Sequence, residues 1–267
     1  MNIPPEQYDN NSLYDKEFFK NQTNWSINSA KIILPIVLGV LPKVNSAVDF
    51  GCGTGTWLSE LKNLGVNEIQ GFDGSWAEKS LVIPSECFTT IEFDKEFIKT
   101  KKYDLAISLE VAEHLNEQSS RKFIEMLTNA SDIILFSAAI PFQGGTNHIN
   151  EQWQSYWYNI FNEYGYTGTS YLRKKFIKNK KISFFYKQNI ILYVKREMLK
   201  LVNIPKKYFD NEKIDFVHPS NILYWKVYNS ISLIELYKLV LKRTIKMILG
   251  EKLSKNIRVL TKRNFGE

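Results

Sequence analysis

Residues 48–55, Val-Asp-Phe-Gly-Cys-Gly-Thr-Gly, are the stretch of sequence that decides the fold. An apolar run over residues 44–50 leads into the glycines, and an amphipathic pattern over residues 56–64 follows them, which predicts a strand, a tight turn and a helix. Glycines at alternate positions let the backbone approach a ligand closely, because no Cβ stands in the way. The helix start behind them offers free N–H groups to an anionic group. The stretch therefore predicts a ligand-binding turn, although its spacing is not that of the G-x-G-x-x-G motif and a plain tight turn remains an alternative.

Downstream of this turn, apolar runs typical of strands alternate with helical patterns at short intervals. Such alternation favours an α/β sheet with mostly parallel strands. The predicted strands are 44–50, 68–72, 87–91, 103–109 and 132–140, and the predicted helices are 56–64, 119–129 and 151–163. Two further runs, about 166–172 and 190–195, have no recognisable helix between them, and we expect them to pair as an antiparallel edge.

The two ends of the chain differ in composition from this middle part. Residues 1–30 are rich in Asn, Tyr and Ser and predict an irregular arm with short helical stretches. Residues 31–42 have an apolar face interrupted by Pro35 and Gly39, which predicts a kinked or broken helix. Residues 222–249 have apolar positions at helical spacing with lysines between them, as in basic amphipathic helices. The predicted division is an N-terminal arm or lid (1–42), a central domain (43–198) and a basic helical extension (199–267).

The net charge of +7 is divided unevenly along the chain. Residues 1–170 carry 12 Lys and Arg against 21 Asp and Glu, a net charge of −9, whereas residues 171–267 carry 23 against 7, a net charge of +16. A basic half of this kind suits an anionic acceptor, an anionic membrane surface or a nucleic acid. Lysines between apolar positions are equally typical of helices that cover a sheet or form a homodimer. We expect a small-molecule or nucleotide-linked acceptor and no nucleic acid, and leave open whether the acceptor is anionic and whether the chain contacts a membrane or forms a homodimer.

The composition excludes several classes of protein. Hydrophobic residues make up 44% and charged residues 24% of the chain, as in globular proteins, and two cysteines in 267 residues exclude a disulfide scaffold. The absence of an 18-residue apolar run predicts no spanning helix, and the polar, acidic residues 1–11 predict no signal peptide. We therefore expect a cytoplasmic protein. No metal is predicted, because no ligand cluster has a recognisable spacing.

Acidic residues follow the predicted strands at the edge of the sheet where ligands bind. Asp73 ends the second strand, 18 residues after Gly55, and is placed to bind a ribose diol; capping a helix is its alternative role. Phe93 and Asp94 follow the third strand, where an aromatic ring and an acid would suit an adenine, although Asp94 could also be a surface acid. The fourth strand ends in residues 108–115, Ser-Leu-Glu-Val-Ala-Glu-His-Leu.

Taken in order, residues 49–55, Asp73, Asp94 and residues 108–115 resemble the successive motifs of class I S-adenosylmethionine-dependent methyltransferases. The resemblance spans about residues 40–195 and implies a Rossmann-like, seven-stranded, mostly parallel sheet with an antiparallel last strand. It implies S-adenosylmethionine as the cofactor and S-adenosylhomocysteine as its product. The implied cofactor-binding residues are Tyr8, Tyr14, Asp49, Gly51, Gly53, Gly55, Asp73, Gly74, Phe93, Asp94, Leu109, Glu110 and His114.

The candidate catalytic residues are His148, His114 and Tyr14. His148 lies in the loop after the fifth strand, where the usual imidazole pKa of about 6.5 suits a base for an oxygen nucleophile; capping the next helix is its alternative. His114 follows the fourth strand as pocket wall or base. Tyr8 and Tyr14 belong to an aromatic N-terminal segment that either closes over the cofactor or packs on the sheet.

A looser resemblance concerns residues 140–157 and 185–189. These segments are similar to small-molecule methyltransferases of bacterial capsule and O-antigen pathways. They imply O-methylation of a sugar hydroxyl, often nucleotide-linked, or of a phosphate or phosphoramidate oxygen. Arg173, Tyr186 and Gln188 are then acceptor-binding residues, with Arg173 suited to an anionic group. The alternative function is an RNA methyltransferase or nucleic-acid-binding protein that uses the basic C-terminal part.

Overall fold

A computed structural model describes residues 16–209 and 214–221 of the chain. The chain divides into two compact units, residues 1–218 and 219–267, and every element discussed below lies in the first. Tyr8 and Tyr14 of the expected lid, and the basic amphipathic helices expected over residues 222–249, lie outside the described residues. In the part of the chain that is described, no helix is both long and apolar enough to cross a membrane.

A seven-stranded mixed sheet forms the centre of the structure. Its strands follow the spatial order β3-β2-β1-β4-β5-β7-β6, and only β7 runs antiparallel to its neighbours, β5 and β6. The strands are β1 (Ser46–Phe50), β2 (Glu68–Asp73), β3 (Phe88–Thr90), β4 (Leu105–Leu109), β5 (Ile133–Ser137), β6 (Tyr166–Thr169) and β7 (Ile191–Lys195). The predicted Rossmann-like, mostly parallel sheet with an antiparallel last strand is confirmed.

Within residues 16–209 and 214–221, six α-helices cover the two faces of this sheet. They are α1 (Lys16–Leu38), α2 (Thr56–Asn63), α3 (Glu117–Ala130), α4 (Gln154–Glu163), α5 (Tyr171–Phe176) and α6 (Phe184–Asn189). Successive strand residues point to opposite faces, so Leu105 and Ile107 join one apolar layer with α1, α2, α5 and α6, while Ala106 joins the other with α3 and α4. The central strands are buried on both faces, as expected for parallel strands between helices.

Helix α1 corrects the prediction for the N-terminal part. A continuous helix runs from Lys16 through Pro35 to Leu38, so the irregular arm expected up to residue 30 and a break at Pro35 are both wrong for the described residues. Proline removes one backbone donor from the helix, but Ile33, Leu34 and Val37 around it are fully buried in the core. Because this apolar stripe packs against the sheet, tertiary packing outweighs the cost of Pro35.

The connection between β6 and β7 corrects a second prediction. These strands do pair antiparallel, but two short helices, α5 and α6, lie between them, whereas no helix had been expected. Leu172 and Phe176 of α5 are four residues apart and buried together. Each helix has only six residues, which is too short for its periodicity to stand out in a lysine-rich sequence.

Residues 199–209, the start of the expected extension, consist largely of 3₁₀ turns that pack on the domain. Val202 and Ile204 are buried in the same apolar layer as α1, and the Asn203 N–H donates to the carbonyl of Val40 at 2.8 Å. These residues therefore add to the core of the first unit.

Phe136 of β5 offers a test of the layer formed by α3 and α4. Its ring lies 5.6 Å from Trp157, 5.2 Å from Phe161 and 6.1 Å from Tyr193, centroid to centroid, and is 1% exposed. We expect Phe136→Ala to lower the free energy of unfolding by about 3–5 kcal/mol, because a large cavity remains. Phe97→Ala, at a ring that is 45% exposed, is the control and should change it by less than about 1 kcal/mol. Urea denaturation measures both, and equal effects would contradict this packing.

Candidate functional site

The glycine turn after β1 is held in a conformation that only glycine adopts easily. Gly51, Gly53 and Gly55 have φ of 84°, 54° and 84°, in the left-handed region. A Cβ on Gly51 would lie 2.2 Å from Val111 Cγ2, and one on Gly55 would lie 2.7 Å from Ile83 Cγ1. Both the dihedral angles and the close packing therefore require glycine, and the turn leads directly into α2 as predicted.

A pocket opens between this turn, the ends of β1 and β4, and two helices. The empty space within it, open solvent included, is about 370 Å³. Polar groups and backbone from β1 and the turn form one side, and Trp57, Leu109 and Tyr186 form apolar surface. The lining residues are Ser26, Asp49, Gly51, Cys52, Gly53, Thr54, Thr56, Trp57, Leu109 and Tyr186.

Asp73 joins the end of β2 to the glycine turn. Its two carboxylate oxygens accept hydrogen bonds from the backbone N–H groups of Gly53, at 2.6 Å, and Gly74, at 2.7 Å. Burial raises the pKa of Asp73 to about 6, although these two hydrogen bonds lower it. Asp49, which lies in the pocket wall, also has a pKa well above the usual value, because of burial and then the charge of Asp73. Each Asp73 oxygen keeps a second lone pair, which leaves the carboxylate able to bind hydroxyl groups.

Glu110 lies at the end of β4, next to the pocket residue Leu109. It has φ 59°, an uncommon value for a residue other than glycine, and its N–H donates to the carbonyl of Ser137 at 2.9 Å. Its carboxylate accepts hydrogen bonds from the side-chain amides of Gln143, at 2.9 Å, and Asn189, at 3.0 Å. Burial raises the pKa of Glu110, while these hydrogen bonds lower it. The carboxylate thus connects the ends of β4 and α6 to the loop after β5.

The loop of residues 141–151 is ordered by the side chain of Glu151. Its carboxylate accepts hydrogen bonds from the N–H groups of Phe142 and Gly144, each at 2.8 Å, and from His148 Nδ1 at 2.9 Å. Burial raises the pKa of Glu151, but these hydrogen bonds outweigh it and hold the pKa below its usual value. The backbone carbonyl of Glu113 accepts the N–H groups of the two residues after His148, which fixes the loop against the end of β4.

His114 and His148, the two predicted catalytic histidines, are brought together. Their ring centroids lie 4.9 Å apart, edge to face, and His114 Nδ1 lies 3.3 Å from the carbonyl oxygen of Asn147. Burial, followed by the neighbouring His148, lowers the pKa of His114 to about 4, so its imidazole is neutral at pH 7. Glu113, one residue before His114, is fully buried, and its pKa is raised well above the usual value by burial and then by Glu110.

Three residues predicted to bind the acceptor have other surroundings. Arg173 is 4% exposed and donates to the carbonyls of Gln188 and Ile214, so it holds two segments together and is not presented to a ligand as expected. Gln188 donates to Gln143 Oε1 at 2.9 Å and belongs to the amide network around Glu110. Tyr186 lines the pocket beside the glycine turn. Its hydroxyl lies 3.3 Å from that of Ser26, and burial raises its pKa to about 12.

The residues predicted to hold an adenine lie after β3, outside the set of pocket-lining residues. The Phe93 ring is half-buried and packs edge to face on Phe123, with centroids 4.9 Å apart, and also contacts Phe50. Asp94 is exposed, and its backbone carbonyl accepts a hydrogen bond from Ser119. Gly74 begins a 3₁₀ turn, where a Cβ would lie 2.0 Å from the Trp76 ring. Their cofactor contacts remain predictions.

Several residues of the site were missed or given no role by the sequence analysis. Ser26 of α1 and Trp57 of α2 line the pocket. No local sequence pattern distinguishes either residue from its helical neighbours. Gln143 and Glu151 hold the loop after β5. The E-x-x-E-H pattern of residues 110–114 was the available signal for Glu113, since glutamates three residues apart followed by histidine are unusual at a strand end.

Comparison with known proteins identifies a family whose model matches this chain. Residues 29–185 match the model of a family described as a methyltransferase domain. No curated protein sequence matches the chain. Among solved structures, a chain of the Haloferax volcanii complex between the Trm112 methyltransferase activator and a proposed methyltransferase is similar, with 12% identity and a TM-score of 0.50 over 69% of this chain and 96% of that chain.

Two further solved structures are more distant in shape. Magnesium protoporphyrin IX methyltransferase from Synechocystis PCC 6803 with bound S-adenosylhomocysteine has 18% identity and a TM-score of 0.45, covering 66% of this chain and 87% of that one. Human N-acetylserotonin methyltransferase in complex with S-adenosylmethionine has 16% identity and a TM-score of 0.49, covering 72% and 60%. Identities this low say nothing about substrates. The family model spans more than half of the sequence, and the chain therefore belongs to the methyltransferase-domain family.

Proposed function

We propose that the chain transfers the methyl group of S-adenosylmethionine to an oxygen atom of a small-molecule acceptor. The observation that carries the proposal is the turn of three left-handed glycines, which lies between Asp49 at the end of β1 and Asp73 at the end of β2. In this family the cofactor supplies a methyl group already activated on a sulfonium. The protein therefore has to bind and orient its two substrates rather than create a reactive group.

The residues present fit that cofactor. Gly51 and Gly53 line the pocket with backbone alone, as a large ligand lying against a turn requires. The Asp73 carboxylate is positioned by two backbone N–H groups and can accept hydrogen bonds from a ribose diol. Asp49, Trp57 and Tyr186 combine one acid with apolar walls, which suits the cationic methionine portion.

The acceptor side is inferred from the His114–His148 pair. An oxygen nucleophile has to lose a proton, and the described residues place two histidines and Glu151 together at the ends of β4 and β5. The Glu151 carboxylate can only accept, so His148 Nδ1 is the donor and Nε2 keeps a lone pair for the acceptor. Glu110 follows the pocket residue Leu109 and precedes His114 in sequence, and its hydrogen bonds to Gln143 and Asn189 hold this part of the wall in place.

The proposal also names a class of acceptor and the pathway in which it is methylated. A glycan precursor of a bacterial surface polysaccharide, methylated in a reducing cytoplasm, is the acceptor favoured by the sequence resemblance of residues 140–157 and 185–189. Cys52 and Cys87 are free thiols, which agrees with a reducing compartment. Because the Arg173 guanidinium donates to two backbone carbonyls, an anionic acceptor would need a different positively charged group to bind to. Contact of residues 222–267 with a membrane or with RNA remains a prediction from their charge.

Calorimetry with S-adenosylhomocysteine tests the cofactor, and methyl transfer from labelled S-adenosylmethionine to a panel of sugar nucleotides and phenols tests the acceptor. We expect one binding site per chain and label incorporated at oxygen. Absence of S-adenosylhomocysteine binding would overturn the whole proposal. Binding accompanied by methylation of nitrogen alone would overturn the assignment of an oxygen acceptor.

Replacement of Gly51 tests whether the turn forms the cofactor site. Gly51→Ala forces a Cβ to within 2.2 Å of Val111, so we expect S-adenosylhomocysteine affinity to fall at least tenfold. Gly65→Ala is the matched control, because Gly65 has φ 92° but nothing within 4 Å of the added methyl group. The control should lose about 1–2 kcal/mol of stability from left-handed strain and keep its affinity. Equal affinity losses in both variants would show that backbone strain, and not the pocket, is responsible.

Cofactor affinity should depend on pH through Asp73. Its pKa is raised to about 6, and only the ionised carboxylate accepts hydrogen bonds at both oxygens. Affinity for S-adenosylhomocysteine should therefore be level above about pH 7 and fall below pH 6, by up to about tenfold per pH unit. Asp73→Asn should bind more weakly at pH 7.5 and lose most of this dependence. Calorimetry from pH 5 to 8 measures both, and a flat wild-type profile would contradict the role of Asp73.

A further inference from the structure

We propose that Glu113, His114 and His148 bind a divalent transition-metal ion at the acceptor end of the site. Each residue offers one ligand atom, and these atoms all lie within 4.8 Å of one another. Glu113 and His114 follow β4 and His148 follows β5, so the group lies at the edge of the sheet where the proposed acceptor would bind. The inference deepens the proposed function and rests on it for the role of the ion, though not for its binding.

Both histidines are oriented in the way that metal-binding histidines are. His114 Nδ1 faces the carbonyl oxygen of Asn147 at 3.3 Å, and His148 Nδ1 faces Glu151 Oε1 at 2.9 Å. Carbonyl and carboxylate oxygens only accept, so each Nδ1 carries the proton and each Nε2 keeps its lone pair. A hydrogen bond from the second ring nitrogen to such an acceptor fixes the tautomer and orientation of a metal ligand.

Glu113 supplies an independent observation. Its side chain is 0% exposed, neither carboxylate oxygen has a well-aligned hydrogen-bond partner, and the nearby backbone N–H groups of Glu113 and Ala139 offset the burial only in part, so the pKa stays well above its usual value. Among the described ion pairs, none joins Glu113 to a lysine or arginine. A buried carboxylate without a partner is costly, and coordination of a cation is one of the arrangements that removes the cost. A bound cation would therefore stabilise the ionised form of Glu113.

Gly145 packs against the Nε2 end of the His148 ring. A Cβ on Gly145 would lie 2.2 Å from His148 Nε2, so a side chain at this position would displace the imidazole or block its Nε2 atom. Gly145 is not among the residues with positive φ, which means that alanine can adopt its backbone conformation. Gly145→Ala therefore changes the space around Nε2 with little backbone strain.

The donor set indicates the kind of metal ion. Two imidazole nitrogens and one carboxylate oxygen suit Mn²⁺, Fe²⁺ or Zn²⁺ better than Mg²⁺ or Ca²⁺, which prefer oxygen ligands. Three protein ligands leave positions for oxygen atoms of the acceptor. The ion would hold the acceptor and lower the pKa of its hydroxyl, whose proton passes to water. His148 then acts as a ligand, in place of the general base expected from the sequence.

The test is a Mn²⁺ titration of the full-length protein after dialysis against EDTA, with free Mn²⁺ followed by electron paramagnetic resonance. We expect one site per chain, and at least tenfold weaker binding in Glu113→Gln, His114→Ala and Gly145→Ala. Glu86→Gln, at an exposed glutamate, is the control and should bind as the wild type does. Unaltered affinity of Glu113→Gln for S-adenosylhomocysteine shows that the pocket is intact.

The outcomes separate the metal site from the methyltransferase activity. No stoichiometric binding of Mn²⁺ or Zn²⁺, or equal binding in wild type and all three site variants, overturns the inference even where S-adenosylhomocysteine binds. Stoichiometric Mn²⁺ binding that the variants lose supports the site, even where S-adenosylhomocysteine fails to bind and the proposed function falls. Methyl transfer that is unchanged by EDTA and lost in His148→Ala would assign His148 as the base and overturn the role of the ion.

Discussion

The change in winding direction at β1 is the constraint on which the rest of the structure depends. The chain builds β1, β2 and β3 toward one edge of the sheet and then returns to place β4 on the other side of β1. Connections on opposite sides of one strand leave a crevice at its carboxyl end, because no crossover covers that point. The turn carrying Gly51 and the segment after β4 carrying Glu110 both open into it. The pocket is thus a consequence of strand order, and side chains only shape it.

Several buried carboxyl groups lie at this edge of the sheet. The free-energy cost of ionising them favours the binding of cationic ligands. Burial is the largest cause of a raised pKa in Asp49, Asp73, Glu110 and Glu113. A raised pKa in the folded state means that the folded protein binds these protons more tightly than the unfolded chain does, so stability is lost as pH rises through the folded pKa values. Ionising these acids in the folded protein therefore destabilises the edge. A cationic ligand counteracts this, which makes a sulfonium and a metal ion chemically compatible with the same edge.

Local patterns in the sequence predicted the sheet and the glycine turn, whereas long-range contacts decided what they missed. The strands and the antiparallel edge follow from periodicity, and the position of His114 and His148 after two strands follows from the same pattern. The continuity of α1 through Pro35 depends on burial against the sheet, which no local pattern shows. Arg173 looked like a free cation because its partners, Gln188 and Ile214, are distant in sequence. The six-residue helices between β6 and β7 lack the length that makes a period visible.

The conformation of Glu110 explains why the acceptor site could not be derived in the same way. A left-handed backbone at a residue other than glycine costs about 1–3 kcal/mol and persists only where surrounding contacts determine it. Here those contacts come from Ser137, Gln143 and Asn189, on three different segments. The bend after β4 directs the following turn toward the loop after β5, whose N–H groups bind the carbonyl of Glu113. The wall proposed to face the acceptor is therefore a junction of distant segments around one strained residue, and no single sequence motif could have predicted it.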